Sequence, residues 1–186
     1  METFKSFINT IIAFKSLFYL FGVIFIIRLI PEIPALISNY LKHKEYEKWL
    51  ATQKTLHELI YKLRPEEFED FIGILLKKLG YEKVNVIGGI HQADGGFDVK
   101  AEKGGELYYI QVKKYGSHHP VRVEQIRAFY GALKADHPEA KGIFITSSYF
   151  TYRFLHSSES FARKVGIELI DGKKLVEMMK SVNILK

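Results

Sequence analysis

The pattern of apolar and polar positions divides the chain near residue 40. From residue 7 to residue 30 the sequence is apolar except for Asn9, Thr10, Lys15, Ser16 and Arg28. Between Leu17 and Ile27 it is apolar all round, whereas a helix at the surface of a soluble core carries its apolar residues on one stripe. A membrane span needs about 20 mainly apolar residues. Residues 7–27 supply such a run with one internal lysine, so the pattern predicts an N-terminal transmembrane helix in a membrane anchor at 1–34. Lys15 then snorkels towards the headgroups or marks a helix partner. No small-residue cleavage site follows, which argues against a removable signal peptide. Residues 35–60 read as a helical connector. Its Lys42, Lys44 and Lys48 outnumber Lys5 on the other flank, a bias that places the C-terminal domain on the cytoplasmic side. The Tyr46 and Trp49 rings fit the headgroup level, and they fit a plain amphipathic connector equally well.

From residue 61 to 186 the periodicities are those of a folded domain. Apolar residues at 68, 71, 72, 75, 76 and 79 form a 3.6-residue stripe behind Pro65, and Gly80 ends the helix. At about 100° per residue, Glu69 lies about 20° beyond Leu76, at the edge of that stripe, while Glu66, Glu67 and Asp70 turn farther towards water. Residues 84–87 read as a first strand. Two extended runs follow, the first carrying Phe97, Asp98, Val99 and Ala101, the second spanning 107–113. Gly104-Gly105 joins them as a hairpin turn, because paired glycines take positive φ without steric cost. Closing the hairpin there sets Asp98 across from Gln111. Gln111 and Lys113 then share one face, opposite Ile110 and Val112. A helix over 121–135, a strand at 142–146, a helix to about 165, a strand at 167–170 and a last helix capped by Asp171 complete the order α-β-β-β-α-β-α-β-α. This is an α/β fold, a mixed β-sheet flanked by helices.

Charge and composition sharpen the picture only in part. The chain has 186 residues, no cysteine and a net charge of +6. Disulfides and thiolate metal sites are excluded. With Lys5, Lys15 and Arg28 against Glu2 and Glu32, most of the positive charge falls beyond residue 39, which suits a polyanion, either nucleic acid or acidic lipid. Candidate chemistry gathers at the hairpin. Asp98 sits in an otherwise apolar run, where a carboxylate is costly unless a cation or donor compensates it. Gly95-Gly96 before it leave room for a bulky group to approach the backbone. On the residues alone, an amphipathic hairpin with a solvated polar face accounts for these features as well as an active site does, and Glu69 reads as a border carboxylate.

Asp98 in Gly95-Gly96-Phe97-Asp98, followed thirteen residues later by Gln111 of Gln111-Val112-Lys113, resembles the D…QxK signature of Mrr-type restriction endonucleases. These form a branch of the PD-(D/E)XK nucleases in which glutamine replaces the usual acid. The segment from Pro65 through Phe68-Glu69 to Leu79-Gly80-Tyr81 resembles the family's PxxFE…LGY. Residues 141–146 resemble its KGxxVT strand and 169–175 its LIDGxxL tail. The resemblance spans roughly residues 63 to 180, with a longer spacing between Phe150 and Phe161. It implies the αβββαβ nuclease core and an Mg2+-dependent, type IV restriction-like DNA endonuclease, with Mn2+ as a substitute ion. It makes Asp98 a direct metal ligand and Glu69 a second or water-mediated one. The Val112 backbone carbonyl and the Gln111 amide oxygen are further ligands, and Lys113 orients the attacking water. It implies double-stranded DNA, including modified DNA, as partner, and a homodimer for a double-strand cut. A structure-specific repair or resolvase-like nuclease, and a catalytically silent, membrane-tethered nucleic-acid-binding module, are the alternatives.

Other polar residues carry weaker expectations. His91 is a loop histidine beside the site, and Asp94 shapes the Gly95-Gly96 turn. The adjacent His118-His119 make a poor zinc pair, so that Lys114, His118, His119 and Arg122 read as a phosphate-contacting loop. Gln125 and Arg127 lean towards the cleft.

Overall fold

A computed structural model describes residues 15, 17–28, 30–87, 96–152 and 157–184. Helix α1 occupies residues 17–28, and a 3-10 turn at Ile30–Glu32 leads into α2 (Ile33–Leu50). Then come α3 (Lys54–Lys62), α4 (Pro65–Lys78), β1 (Glu82–Val86), β2 (Val99–Lys103), β3 (Glu106–Lys113), α5 (Val123–Asp136), β4 (Lys141–Thr146), α6 (Ser158–Val165), β5 (Ile167–Ile170) and α7 (Gly172–Ser181). From α4 onwards this is the expected order, with boundaries shifted by a residue or two.

The five strands form one sheet in chain order. β1, β2 and β3 are antiparallel, while β3, β4 and β5 are parallel, each parallel pair joined by a crossover helix as a parallel connection demands. Gly104 and Gly105 have φ of +59° and +81°, the left-handed values of a tight hairpin turn, and they set the register Lys103↔Glu106 through Val99↔Ile110. Alternation along β3 sends Ile110 and Val112 into a core beneath α2, α3, α4 and α7, and Tyr109 into a second core beneath α5 and α6. On α4 the expected stripe is buried at Phe68, Ile72, Leu75 and Leu76.

The connector region 35–60 is built into the domain. Leu50, Leu56 and Ile60 join Phe68, Val99, Ile110 and Leu175 in one core. Tyr46 is buried there, only 2% exposed, with its hydroxyl donating to the Ser147 carbonyl. Its ring presses on Gly172, where a Cβ would also meet the Ser147 oxygen at 2.7 Å. Tyr46 therefore turns inward and is not a headgroup anchor. Desolvation raises its phenol well above the usual tyrosine range, so it stays a donor. Asn39 adds a two-way clamp, donating to the Tyr152 carbonyl at 2.9 Å and accepting from the Tyr152 N–H at 2.8 Å. Lys42–Glu159 (3.2 Å) and Lys173–Glu45 (2.6 Å) border the contact.

The described part of the expected span, α1, is exposed throughout, and the helix Leu17–Leu50 is long and apolar enough to cross a membrane by length and composition.

Truncating Tyr46 empties a closed site under α7. Tyr46→Ala is expected to destabilise the domain by about 3–5 kcal/mol, as emptying a large aromatic site does. Tyr46→Phe is expected to lose about 1–3 kcal/mol, because the Ser147 carbonyl is left buried without its donor. Denaturant titration of both variants checks the pair, and equal losses would show that the hydroxyl does not matter.

Candidate active site

Asp98 lies one residue before β2; the ladder ends at the pair Val99↔Ile110, and the pairing of Asp98 with Gln111 expected from the sequence is not part of it. Its N–H donates to the Ile110 carbonyl and its carbonyl accepts from the Ile87 N–H, each at 2.9 Å, so the backbone is fixed on both sides. The carboxylate folds back on β3, where Oδ2 accepts the Val112 N–H at 2.6 Å and lies 3.9 Å from Lys113 Nζ. The Asp98 side chain is 13% exposed. Burial raises its carboxyl above the ordinary range, against the opposing pull of the Val112 N–H and the Lys113 ammonium.

Glu69 enters from the first half of α4, at the half-buried edge of the stripe. Burial first, and then the Asp98 charge, push its carboxyl up to about 7, while Lys113 pulls it down. Glu69 therefore feels both hairpin charges. Glu67 is spent elsewhere: its carboxylate accepts from the Arg64 N–H at 2.7 Å and the Arg64 guanidinium at 3.1 Å, closing a capping box on α4. Gly96 has φ +82°, and a Cβ there would sit 3.4 Å from Gln111 Nε2, so the Gln111 amide flanks the glycine turn that precedes Asp98. In an antiparallel ladder a residue's N–H and C=O face the same neighbour. The Val112 carbonyl therefore projects to the side on which its N–H holds Asp98.

The structure thus brings Asp98, Lys113 and the Val112 backbone together where the start of β2 meets the end of β3, with Gln111 flanking the preceding turn and Glu69 in electrostatic reach. Val112 is expected from the sequence for its carbonyl alone; its N–H, the group that fixes Asp98, is a finding of the structure. The hairpin register contains that signal, since it points the Val112 backbone at the end of β2.

Several residues of the basic loop after β3 make contacts within the domain. Lys114 Nζ donates to the Ile60 carbonyl at 2.6 Å, placing a cation at the C-terminal end of α3. The Arg122 N–H donates to Gln125 Oε1 at 3.0 Å and Gln125 Nε2 donates to the Tyr115 hydroxyl at 3.0 Å, so both residues cap and brace α5. Arg127 lies over the Phe161 ring, 5.4 Å from its centre. His91 and Asp94 lie outside the described residues.

A mixed five-stranded sheet flanked by helices is the architecture of a restriction-endonuclease-like domain. The Mrr catalytic-domain family, described as restriction endonuclease, matches residues 60–179, and the chain belongs to that family. Membership places the domain among the endodeoxyribonucleases. No curated protein matches the chain. Among solved structures, AF1548, a protein of unknown function, superposes with a TM-score of 0.53 at 18% identity, covering 66% of this chain and 72% of its own. The DNA modification-dependent restriction endonuclease AspBHI gives 0.49 at 20% identity, with 70% of this chain and 35% of that one covered. The MspJI restriction endonuclease, solved in complex with a 27-mer oligonucleotide, gives 0.48 at 18% identity, with coverage of 68% and 30%. The chain thus spans about a third of the length of these two endonucleases.

A carboxyl whose folded-state pKa is raised from 4.5 to about 7 binds its proton more tightly in the folded state. Stability then falls as pH rises from about 4.5 to about 7 and is level above that. Glu69→Gln removes the charge, and is expected to stabilise the protein at pH 8 relative to pH 5 by on the order of 1 kcal/mol, solvent screening at this half-exposed group reducing the full effect. Urea titrations of both proteins at the two pH values check the sign.

Proposed function

We propose that the domain hydrolyses phosphodiester bonds of double-stranded DNA at the Asp98–Lys113 site with a divalent ion, Mg2+, and that α1 tethers it to a membrane with the nuclease on the cytoplasmic side. The observation that carries the catalytic reading is the shared placement of Asp98 Oδ2, held by the Val112 N–H, and Lys113 Nζ at 3.9 Å.

The donor set suits a hard cation. Asp98 and Glu69 both have carboxyls raised by burial, with a single ammonium 3.9 Å from one of them. A divalent cation would relieve that excess, and two carboxylates, the Gln111 amide oxygen and the Val112 carbonyl are the oxygen ligands such ions take. When bound, Mg2+ supplies Lewis-acid stabilisation of phosphoryl oxygens and a more acidic water. The chain's own groups do the rest. Asp98 is held rigid by the Val112 N–H, which fixes the geometry at the reacting centre. Lys113 orients the attacking water and offsets negative charge developing in the transition state. Gln111 contributes a neutral oxygen, and Gly96 keeps the approach to the cluster free of side chains. Glu69 is a second or water-mediated ligand. The net charge of +6 favours a phosphate polyanion as partner, and modified DNA and a homodimer for double-strand cutting are implied by the family resemblance.

Membrane tethering is supported by the surface of α2 as well as by α1. Ile33, Leu36, Ile37, Tyr40 and Leu41 are all exposed on α2, directly following the exposed apolar α1, with Lys44 and Lys48 beyond them. An apolar stripe of this kind rimmed by lysines matches a bilayer interface.

Incubating the full chain with methylated and unmethylated plasmid, with and without Mg2+, tests the reading. Cleavage is expected only with the ion, and Asp98→Ala and Lys113→Ala are each expected to lower the rate by at least about 10²–10³-fold while leaving the circular dichroism unchanged. Undiminished cutting by either variant would refute the assignment.

A further inference from the structure

Away from the hairpin, two elements distant in sequence place three metal-ligating side chains together. His43 and Glu47, one turn apart on α2, and His118, in the loop after β3, each offer a ligand atom, and these atoms lie within 4.8 Å of one another. We propose that His43, Glu47 and His118 form a site for a transition-metal ion of the Zn2+ class, clipping α2 to that loop.

The geometry is near what the ion needs. Two ligands about 2.1 Å from a tetrahedral centre stand about 3.4 Å apart. His43 Nε2 is 3.5 Å and His118 Nε2 3.7 Å from Glu47 Oε1. The tautomer is also set. His43 Nδ1 is 3.0 Å from the Ser117 carbonyl, to which a protonated Nδ1 donates, leaving the Nε2 lone pair facing Glu47. Orienting a ligating imidazole through a backbone carbonyl is the usual outer-shell arrangement of metal-bound histidine. The Ser117 hydroxyl donates to Glu47 Oε1 at 3.4 Å, holding the carboxylate from the same loop. Two imidazoles and one carboxylate favour zinc and its neighbours over Mg2+ or Ca2+, which prefer oxygen donors.

The site explains why adjacent histidines need not compete for one ion. His118 takes its partners from α2, and His119 turns to the Tyr115 ring, 6.4 Å between centres. Exposure of 24%, 40% and 71% for the His43, Glu47 and His118 side chains leaves an entry path and a position for water. None of the three belongs to the Asp98–Lys113 cluster. A bound ion would fix the loop that begins directly after Lys113 onto the helix that continues towards α1.

The test uses the full chain carrying Asp98→Ala, so that the proposed catalytic site contributes no ligand from that residue. Calorimetric titration with Zn2+ is expected to show one equivalent bound. It is also expected to raise the melting temperature by about 5–10 °C at a hundredfold excess over Kd. Adding His118→Ala or Glu47→Gln should weaken binding by more than the roughly 10–100-fold that loss of an outer-shell partner costs, and should abolish the thermal shift. Adding His119→Ala should leave both unchanged. Absence of zinc binding, or binding that survives both His118→Ala and Glu47→Gln, would overturn the site. Equal loss with His119→Ala would assign the ion to the adjacent histidine pair instead.

Discussion

The hydrogen bond from the Val112 N–H to the Asp98 carboxylate is the constraint on which the arrangement at the end of β3 depends. A carboxylate only 13% exposed is unfavourable by itself. Here a donor from the neighbouring strand and an ammonium from the next residue offset the cost. Both partners come from β3, so they are correctly placed only if the β2–β3 ladder is in register. A slip of one residue would exchange the two faces, turning Gln111 and Lys113 towards the core beneath α4 and taking Ile110 and Val112 out of it. The glycine turn that sets this register therefore also sets the chemistry. Its two positive φ angles are a cost that other residues would feel and glycine does not.

Much of this was legible in the sequence because it is written in short-range terms. Gly104-Gly105 located the turn, alternation from that turn put Ile110 and Val112 in the core, and the stripe on α4 put Glu69 at the core margin. Each rests on a period of 2 or 3.6 residues, which a single chain displays without its neighbours. The fine electrostatics of Glu69 were not legible, since its raised carboxyl depends on how closely α4 approaches the hairpin. The partner of Lys114 was not legible for a related reason. A lysine in a basic loop has no sequence mark of the helix end it neutralises, and the Ile60 carbonyl lies 54 residues away.

The role of α2 was the larger omission, and its cause is physical. The face that docks carries Ala35, Asn39, Lys42, His43, Tyr46 and Leu50, spaced every three or four residues yet largely polar. Its specificity comes from hydrogen bonds and ion pairs to residues more than 70 positions away, for which apolar periodicity gives no signal. The apolar residues of the same helix, Ile33, Leu36, Ile37, Tyr40 and Leu41, lie on the surface instead. Hydrophobicity alone would turn the helix round.

The inverted helix α2 is docked on the domain by its polar side. A helix in water buries its apolar face and exposes its polar one; the first half of α2 does the reverse, and becomes conventional only at Tyr46 and Leu50, where it enters the core. An exposed apolar stripe of this length is stable where a second apolar medium covers it. The polar docking face then has a complementary task. It holds the helix to the domain through directional bonds. Because Tyr46 bonds to Ser147, at the end of the strand paired with β3, and His43 bonds to Ser117, in the loop after Lys113, the helix grips the domain on the segments that immediately follow the candidate site.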